Sequence, residues 1–194
     1  MGDVSAADTI AKAVGAGEAP WVFGYGSLMW RPGFDYEARH PAVLHGRRRA
    51  FCIYSVHHRG TPARPGLVLG LARGGAVRGT AYQIAPSHWP KVHAYLVERE
   101  QPTETYVEAA VWVRLGDGRR IAATSFLSDT HHPQWAGDLS LDEQARLIAG
   151  ARGLSGANVD YLQDLVDHLS AEGVRDPTMA RLLAKVRHLE ANGR

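Results

Sequence analysis

The sequence predicts an α+β fold: a mainly antiparallel, partly closed sheet or barrel, one helix inserted after the fourth strand, and a C-terminal set of helices. Three observations carry this. Runs of strand-forming residues recur between 21 and 128 with turn residues between them. Gly116-Asp117-Gly118 supplies a hairpin turn joining YVEAAVWVRL to RRIAATSFL. Beyond residue 138 the pattern changes to that of helices.

Taken in order, residues 1–20 are rich in Ala and Gly and are expected to form a disordered tail ahead of a single domain, 21–194. Strands are expected at 21–25, 42–56, 67–72, 76–84, 106–115 and 119–127. Gly74-Gly75 reads as another hairpin turn, joining LVLGLAR to AVRGTAYQI. A helix at about 87–100 interrupts the strands. The stretch SLDE from Ser140 to Glu143 is a capping box ahead of QARLIAGA. A second helix, 158–171, carries Leu162, Leu165, Val166 and Leu169 on one stripe. The third opens on Asp176-Pro177, an N-cap followed by proline at the first helical position, and buries Met179, Leu182, Leu183 and Val186. No internal repeat or linker divides the chain.

Composition bounds the function. The 194 residues are 45% hydrophobic and 22% charged, an ordinary globular balance. A chain of this length buries roughly 70% of its surface. A formal net charge of +2, with the basic residues dispersed, argues against nucleic acid as a partner. The run Arg47-Arg48-Arg49 reads as a solvated strand end rather than a phosphate site. The single cysteine, Cys52, excludes an intramolecular disulfide and fits a reducing cytoplasm. No basic n-region precedes a long apolar run, nothing approaches a membrane-spanning length, and Ala6 breaks the myristoylation pattern. The expectation is a cytoplasmic protein without a membrane partner.

The stretch WVFGYGSLMW, residues 21–30, sets a glycine-serine turn directly after the first strand. It is not a Rossmann turn, because Met29 stands where the third glycine belongs. It lacks the Gly-Lys-Ser/Thr of a P-loop. Tyr25 and Met29 replace the glycines of a nucleophile elbow around Ser27. What survives is geometry: bare N–H groups in such a turn can cradle a carboxylate or oxyanion, although a tight structural turn has the same signature.

A second signal lies in SHWPKVHAYLVERE. At about 100° per residue, Trp89, Val92 and Leu96 share a face, and Glu100 continues that stripe while Glu98 opposes it. A carboxylate on a buried stripe has a raised pKa and suits proton transfer near neutrality. The bland alternatives are that Glu100 lies past the helix end in water, or pairs with an arginine.

FGYGSLMW, then HRGTPARPGLVLGL at 58–71, YLVERE at 95–100 and GLSGANVDYL at 153–162, together and in this order, resemble the ChaC family of γ-glutamylcyclotransferases that act on glutathione. The resemblance implies a small mixed barrel, no metal and no organic cofactor. It implies that the turn Tyr25, Gly26, Ser27, Leu28 holds a γ-glutamyl group, and that one glutamate, by position Glu100, is the acid/base. Tyr106 matches a tyrosine that follows the Arg-Glu pair and, with Tyr25, would wall the pocket. Gln101 and Glu104 depart from the family pattern, which bears on pocket shape. The implied reaction is internal: the α-amine attacks its own side-chain carbonyl, giving 5-oxoproline and releasing Cys-Gly. Proximity alone supplies effective molarities of about 10⁵–10⁸ M, so neither Ser27 nor Cys52 needs to act as a nucleophile. Other γ-glutamyl amines or amino acids as substrates, and a noncatalytic binding protein on the same fold, are the competing readings.

Several residues have plainer roles open to them. Arg59 and Arg64 flank a Pro/Gly loop, where either could meet the substrate's glycyl carboxylate or simply be solvated. Asn158 could be an N-cap and Tyr161 a packing residue. The pairs His57-His58 and His131-His132 point to opposite strand faces and form no chelate, so no metal is expected.

Overall fold

The computed structural model describes residues 5–100 and 105–192, so Gln101 and Glu104 lie outside the described residues. The chain divides into two compact units, Met1–Arg48 with Arg73–Asp129, and Arg49–Ala72 with Thr130–Arg194.

Five strands close a barrel in the order β1-β3-β2-β4-β5: β1 (Trp21–Gly24), β2 (Ala38–Ser55), β3 (Gly66–Gln83), β4 (Tyr106–Leu115) and β5 (Arg120–Ser128). β1 runs antiparallel to β3, from Trp21 opposite Gln83 to Gly24 opposite Thr80. Its other edge meets β5 in parallel, Val22 opposite Thr124. That one parallel pairing makes the barrel mixed. The β4–β5 hairpin turns at Gly116-Asp117-Gly118, where Gly118 takes a φ of 91°.

Two expectations need correction. Residues 67–72 and 76–84 are one strand: β3 runs 18 residues through Gly74-Gly75. Both glycines have positive φ, which a hairpin turn also requires, so the local signal could not separate the two outcomes. The equally long β2 decides it, with the Arg48 guanidinium donating to the Arg73 carbonyl beside the glycine pair. The inserted helix α2 (Trp89–Glu100) therefore follows the third strand. The supposed tail holds a helix, α1 (Ala6–Gly15), whose N-cap Ser5 accepts from the Asp8 N–H at 3.1 Å. Half-buried Thr9, Ile10 and Ala13 share its inner stripe, and α1 packs on β4 and β5. Alanine forms helices well, and docking on the sheet supplies what so short a helix lacks alone.

The core beside α2 is Val22, Leu28, Tyr82, Ile84, Val92, Leu96 and Phe126. α2 enters it through Val92 and Leu96, which fixes the helix's C-terminal end against the barrel. Packing between β1 and β3 is equally tight. A Cβ on Gly79 would stand 2.3 Å from the Gly24 carbonyl oxygen and 2.7 Å from the Phe23 ring. Gly79→Ala is expected to cost about 1–3 kcal/mol by overpacking, read as a lower urea midpoint at unchanged slope.

The second unit contains α3 (Leu141–Ile148), α4 (Asn158–Ala171), α5 (Pro177–Asn192) and a small hairpin, β6 (Arg152–Gly153) with β7 (Gly156–Ala157). α5 packs on both α3 and α4. The Ser140–Glu143 capping box is present, and Asp176 Oδ1 accepts from the Met179 N–H at 3.2 Å. Asn158 is not a cap: Ala157 holds that position, and the fully buried Asn158 side chain bonds to Leu67 instead.

Candidate active site

After β1 the chain passes through Tyr25 and Gly26 into a single 3-10 turn, Ser27–Met29. Its outgoing side is pinned from the core. The Tyr82 hydroxyl donates to the carbonyls of Leu28 (2.8 Å) and Met29 (2.9 Å), and the buried Tyr25 donates to the Phe126 carbonyl at 2.8 Å. The turn closes on itself through Met29 N–H to the Gly26 carbonyl and Arg31 N–H to the Ser27 carbonyl. The N–H groups of Gly26, Ser27 and Leu28 precede that first bond and meet no acceptor among the described residues. Ser27 is exposed and Gly26 half-buried, so a ligand can reach this edge. Successive bare N–H groups form a concavity suited to an anion or developing oxyanion.

Glu100 is the last residue of α2. The helical stripe read from the sequence is the one that packs: Val92 and Leu96 are buried, Glu98 is exposed, and the Glu100 side chain keeps 21% of its surface. Burial raises the Glu100 pKa above the usual carboxylate value, and the neighbouring Arg99 charge partly offsets that rise. Arg99 Nε lies 3.1 Å from Glu100 Oε1, and Arg99 Nη2 donates to Ser27 Oγ at 3.0 Å. One guanidinium thus joins the carboxylate to the turn, although Ser27 and Glu100 are far apart in the chain.

Tyr106 opens β4 and is half-buried against the core cluster that contains Leu28. Tyr25, Gly26, Ser27, Leu28, Glu100 and Tyr106 all belong to the first unit, tied together by the core and by Arg99. Arg59 belongs to the second unit. Its Nη1 donates to the carbonyls of Ser155 (2.6 Å) and Ala157 (3.3 Å), and its guanidinium lies 5.2 Å from the Tyr161 ring centre. Arg64 donates to the Ala149 carbonyl at 3.1 Å. Arg99 is the residue that sequence reasoning missed. The available signal is the Arg-Glu ending of YLVERE, which carries part of the resemblance but gives the arginine no role of its own. Among the described residues no group of three or more His, Cys, Asp or Glu could hold a metal ion.

A family model described as a ChaC-like protein matches residues 20–189. The chain belongs to the ChaC-like family. Its relatives include the glutathione-specific gamma-glutamylcyclotransferase of Escherichia coli (strain K12), 36% identical over 171 residues that cover 88% of this chain and 74% of that protein. Gamma-glutamylcyclotransferase 2-3 of Arabidopsis thaliana is 30% identical over 179 residues, covering 88% of this chain and 90% of that one. The crystal structure of a yeast gamma-glutamyl cyclotransferase specific to glutathione superposes with a TM-score of 0.77 at 28% identity, covering 89% of this ChaC-like chain and all (100%) of the yeast one. The mixed barrel with its helices is therefore shared with that yeast structure.

Proposed function

We propose that this chain cyclises the γ-glutamyl group of glutathione, forming 5-oxoproline and releasing Cys-Gly. The observation that carries the reading is the largely buried Glu100 carboxylate, held by the same guanidinium that holds Ser27 of the turn. Membership of the ChaC-like family and the names of its relatives support it.

In this reading Glu100 takes a proton from the substrate's α-ammonium, freeing the lone pair. That nitrogen attacks the γ-carbonyl carbon, and the oxyanion that develops is met by the N–H groups of Gly26, Ser27 and Leu28. Collapse breaks the bond to the cysteinyl nitrogen, which takes its proton from Glu100. Two protons leave the α-nitrogen over the cycle and two reach the leaving amine, so the reaction needs no net acid or base. Tyr25 and Tyr106 wall the pocket.

The reading extends to a reducing, cytoplasmic setting, supported by the single, buried Cys52. Among the described residues no helix is long and apolar enough to cross a membrane.

Incubation of the purified chain with reduced glutathione, with 5-oxoproline and Cys-Gly followed by mass spectrometry, is expected to show equimolar products. Cyclisation of other γ-glutamyl compounds with glutathione left intact would move the substrate assignment. Glutathione binding without turnover would replace the enzyme by a binding protein.

A further inference from the structure

We propose that Arg99 is the positioning residue of this site, its guanidinium holding the Ser27 turn and the Glu100 carboxylate in one rigid frame. Resting on the reading above, this role explains how two chemical parts carried by separate segments keep a fixed spacing. The turn hangs from β1, Glu100 ends α2, and residues 31–37 between them contain neither helix nor strand.

Every nitrogen of Arg99 is directed to a different piece of that assembly. Nε meets Glu100 Oε1 at 3.1 Å and Nη2 meets Ser27 Oγ at 3.0 Å. Nη1 reaches the carbonyls of Arg31 (2.6 Å) and Pro32 (2.9 Å) and the Tyr95 hydroxyl (2.9 Å). A guanidinium is planar and its donors point in fixed directions, so a shift of the turn or the following loop strains the other, while its charge, 3.1 Å from Oε1, holds the carboxylate beside them. The surroundings are shaped to admit this fork. Gly33 has a φ of 76°, and a Cβ there would stand 2.1 Å from the Tyr95 hydroxyl that meets Arg99. The Tyr95 ring centre lies 5.9 Å from the guanidinium carbon. With Arg99 only 19% exposed in its side chain, this is a built joint rather than a solvated charge.

A lysine at 99 would keep the positive charge near Glu100 but not the fork, which separates positioning from simple charge pairing. The test compares wild type, Arg99→Gln, Arg99→Lys, Glu100→Gln and the Arg99→Gln/Glu100→Gln double variant in steady-state 5-oxoproline formation from glutathione. Hydrogen exchange over residues 24–33 is measured alongside. A misplacement near 1 Å costs on the order of 10²-fold, so Arg99→Gln is expected to lose about that factor in kcat with KM changed less than about threefold. Arg99→Lys should fall within about threefold of Arg99→Gln, and the double variant within about threefold of Glu100→Gln, because residues acting as a unit are not additive. Amides of the turn should exchange faster in both single Arg99 variants while the barrel's do not.

Wild-type kcat in Arg99→Lys, a loss confined to KM, or full additivity with Glu100→Gln would overturn the role. Should Arg99→Gln not fold, Arg99→Lys decides alone by the same kcat criterion. A wild type that makes no 5-oxoproline overturns the proposed reaction together with this role. An active wild type with unimpaired Arg99 variants overturns only the role.

Discussion

Replacing Glu100 by glutamine is expected to lower the rate of 5-oxoproline formation by about 10²–10⁴-fold, the usual contribution of a positioned acid/base, without unfolding the protein. Glutamine keeps the side chain's shape, and Arg99 retains its bonds to Ser27, Arg31, Pro32 and Tyr95, so the frame survives. The residual rate would come from proximity and from the N–H cradle, neither of which glutamine touches. The pH profile carries a second test. A general base works deprotonated, so kcat/KM should fall as pH drops through the Glu100 pKa. Burial puts that limb above the ordinary carboxylate range.

Stability has the opposite sign. A carboxyl whose folded pKa is raised binds its proton more tightly when folded. Its stabilising effect is fully present below the unfolded pKa and is lost as pH rises through the raised folded value. Glu100→Gln should remove this fall, leaving the neutral-pH melting temperature equal to or above that of wild type while activity collapses. Product formation at the wild-type rate would retire Glu100 as the acid/base.

How much of this was legible in the sequence depended on how local each signal is. The Glu100 stripe was readable because α2 is long enough for its period to show, and the faces of Glu98 and Glu100 differ as the period requires. The caps at Ser140 and Asp176 were readable because a cap is made within one helical turn. Gly74-Gly75 was misread because two positive-φ glycines serve either a hairpin or a continuous strand, and only the partner β2 decides. The helix in residues 6–15 was missed because its short stripe, Thr9, Ile10 and Ala13, is only weakly apolar, and its partial burial is supplied by β4 and β5. Arg99 illustrates the same limit at the site. Its partners Ser27, Arg31 and Pro32 are distant in sequence, and an arginine at the end of a helix ordinarily faces water. No periodicity marks a residue whose value arises from three segments meeting at one plane.

Asn158→Ala is expected to destabilise the protein by about 3–5 kcal/mol, because two buried backbone groups lose their partners at once. The Asn158 side chain is fully buried and acts as one more strand edge for β3. Its Nδ2 donates to the Leu67 carbonyl at 2.7 Å, and its Oδ1 accepts from the Leu67 N–H at 2.6 Å. Only an amide side chain offers a donor and an acceptor in that pairing. Asn158→Asp would turn the donor into a second acceptor facing the Leu67 carbonyl, and would bury a charge, so it should do no better than alanine. At about 2–4 °C per kcal/mol for a chain of this size, the alanine variant should melt roughly 6–20 °C lower.

The damage should reach the loop that carries Arg59 as well. Arg59 Nη1 bonds the carbonyls of Ser155 and Ala157, the latter immediately before Asn158, so loosening the start of α4 loosens that anchor. Below its melting transition, Asn158→Ala is therefore expected to show faster hydrogen exchange than wild type over residues 57–60 and 153–158. A melting temperature within about 2 °C of wild type would show that the Leu67 groups find new partners, and that the pairing is not what holds this end of α4.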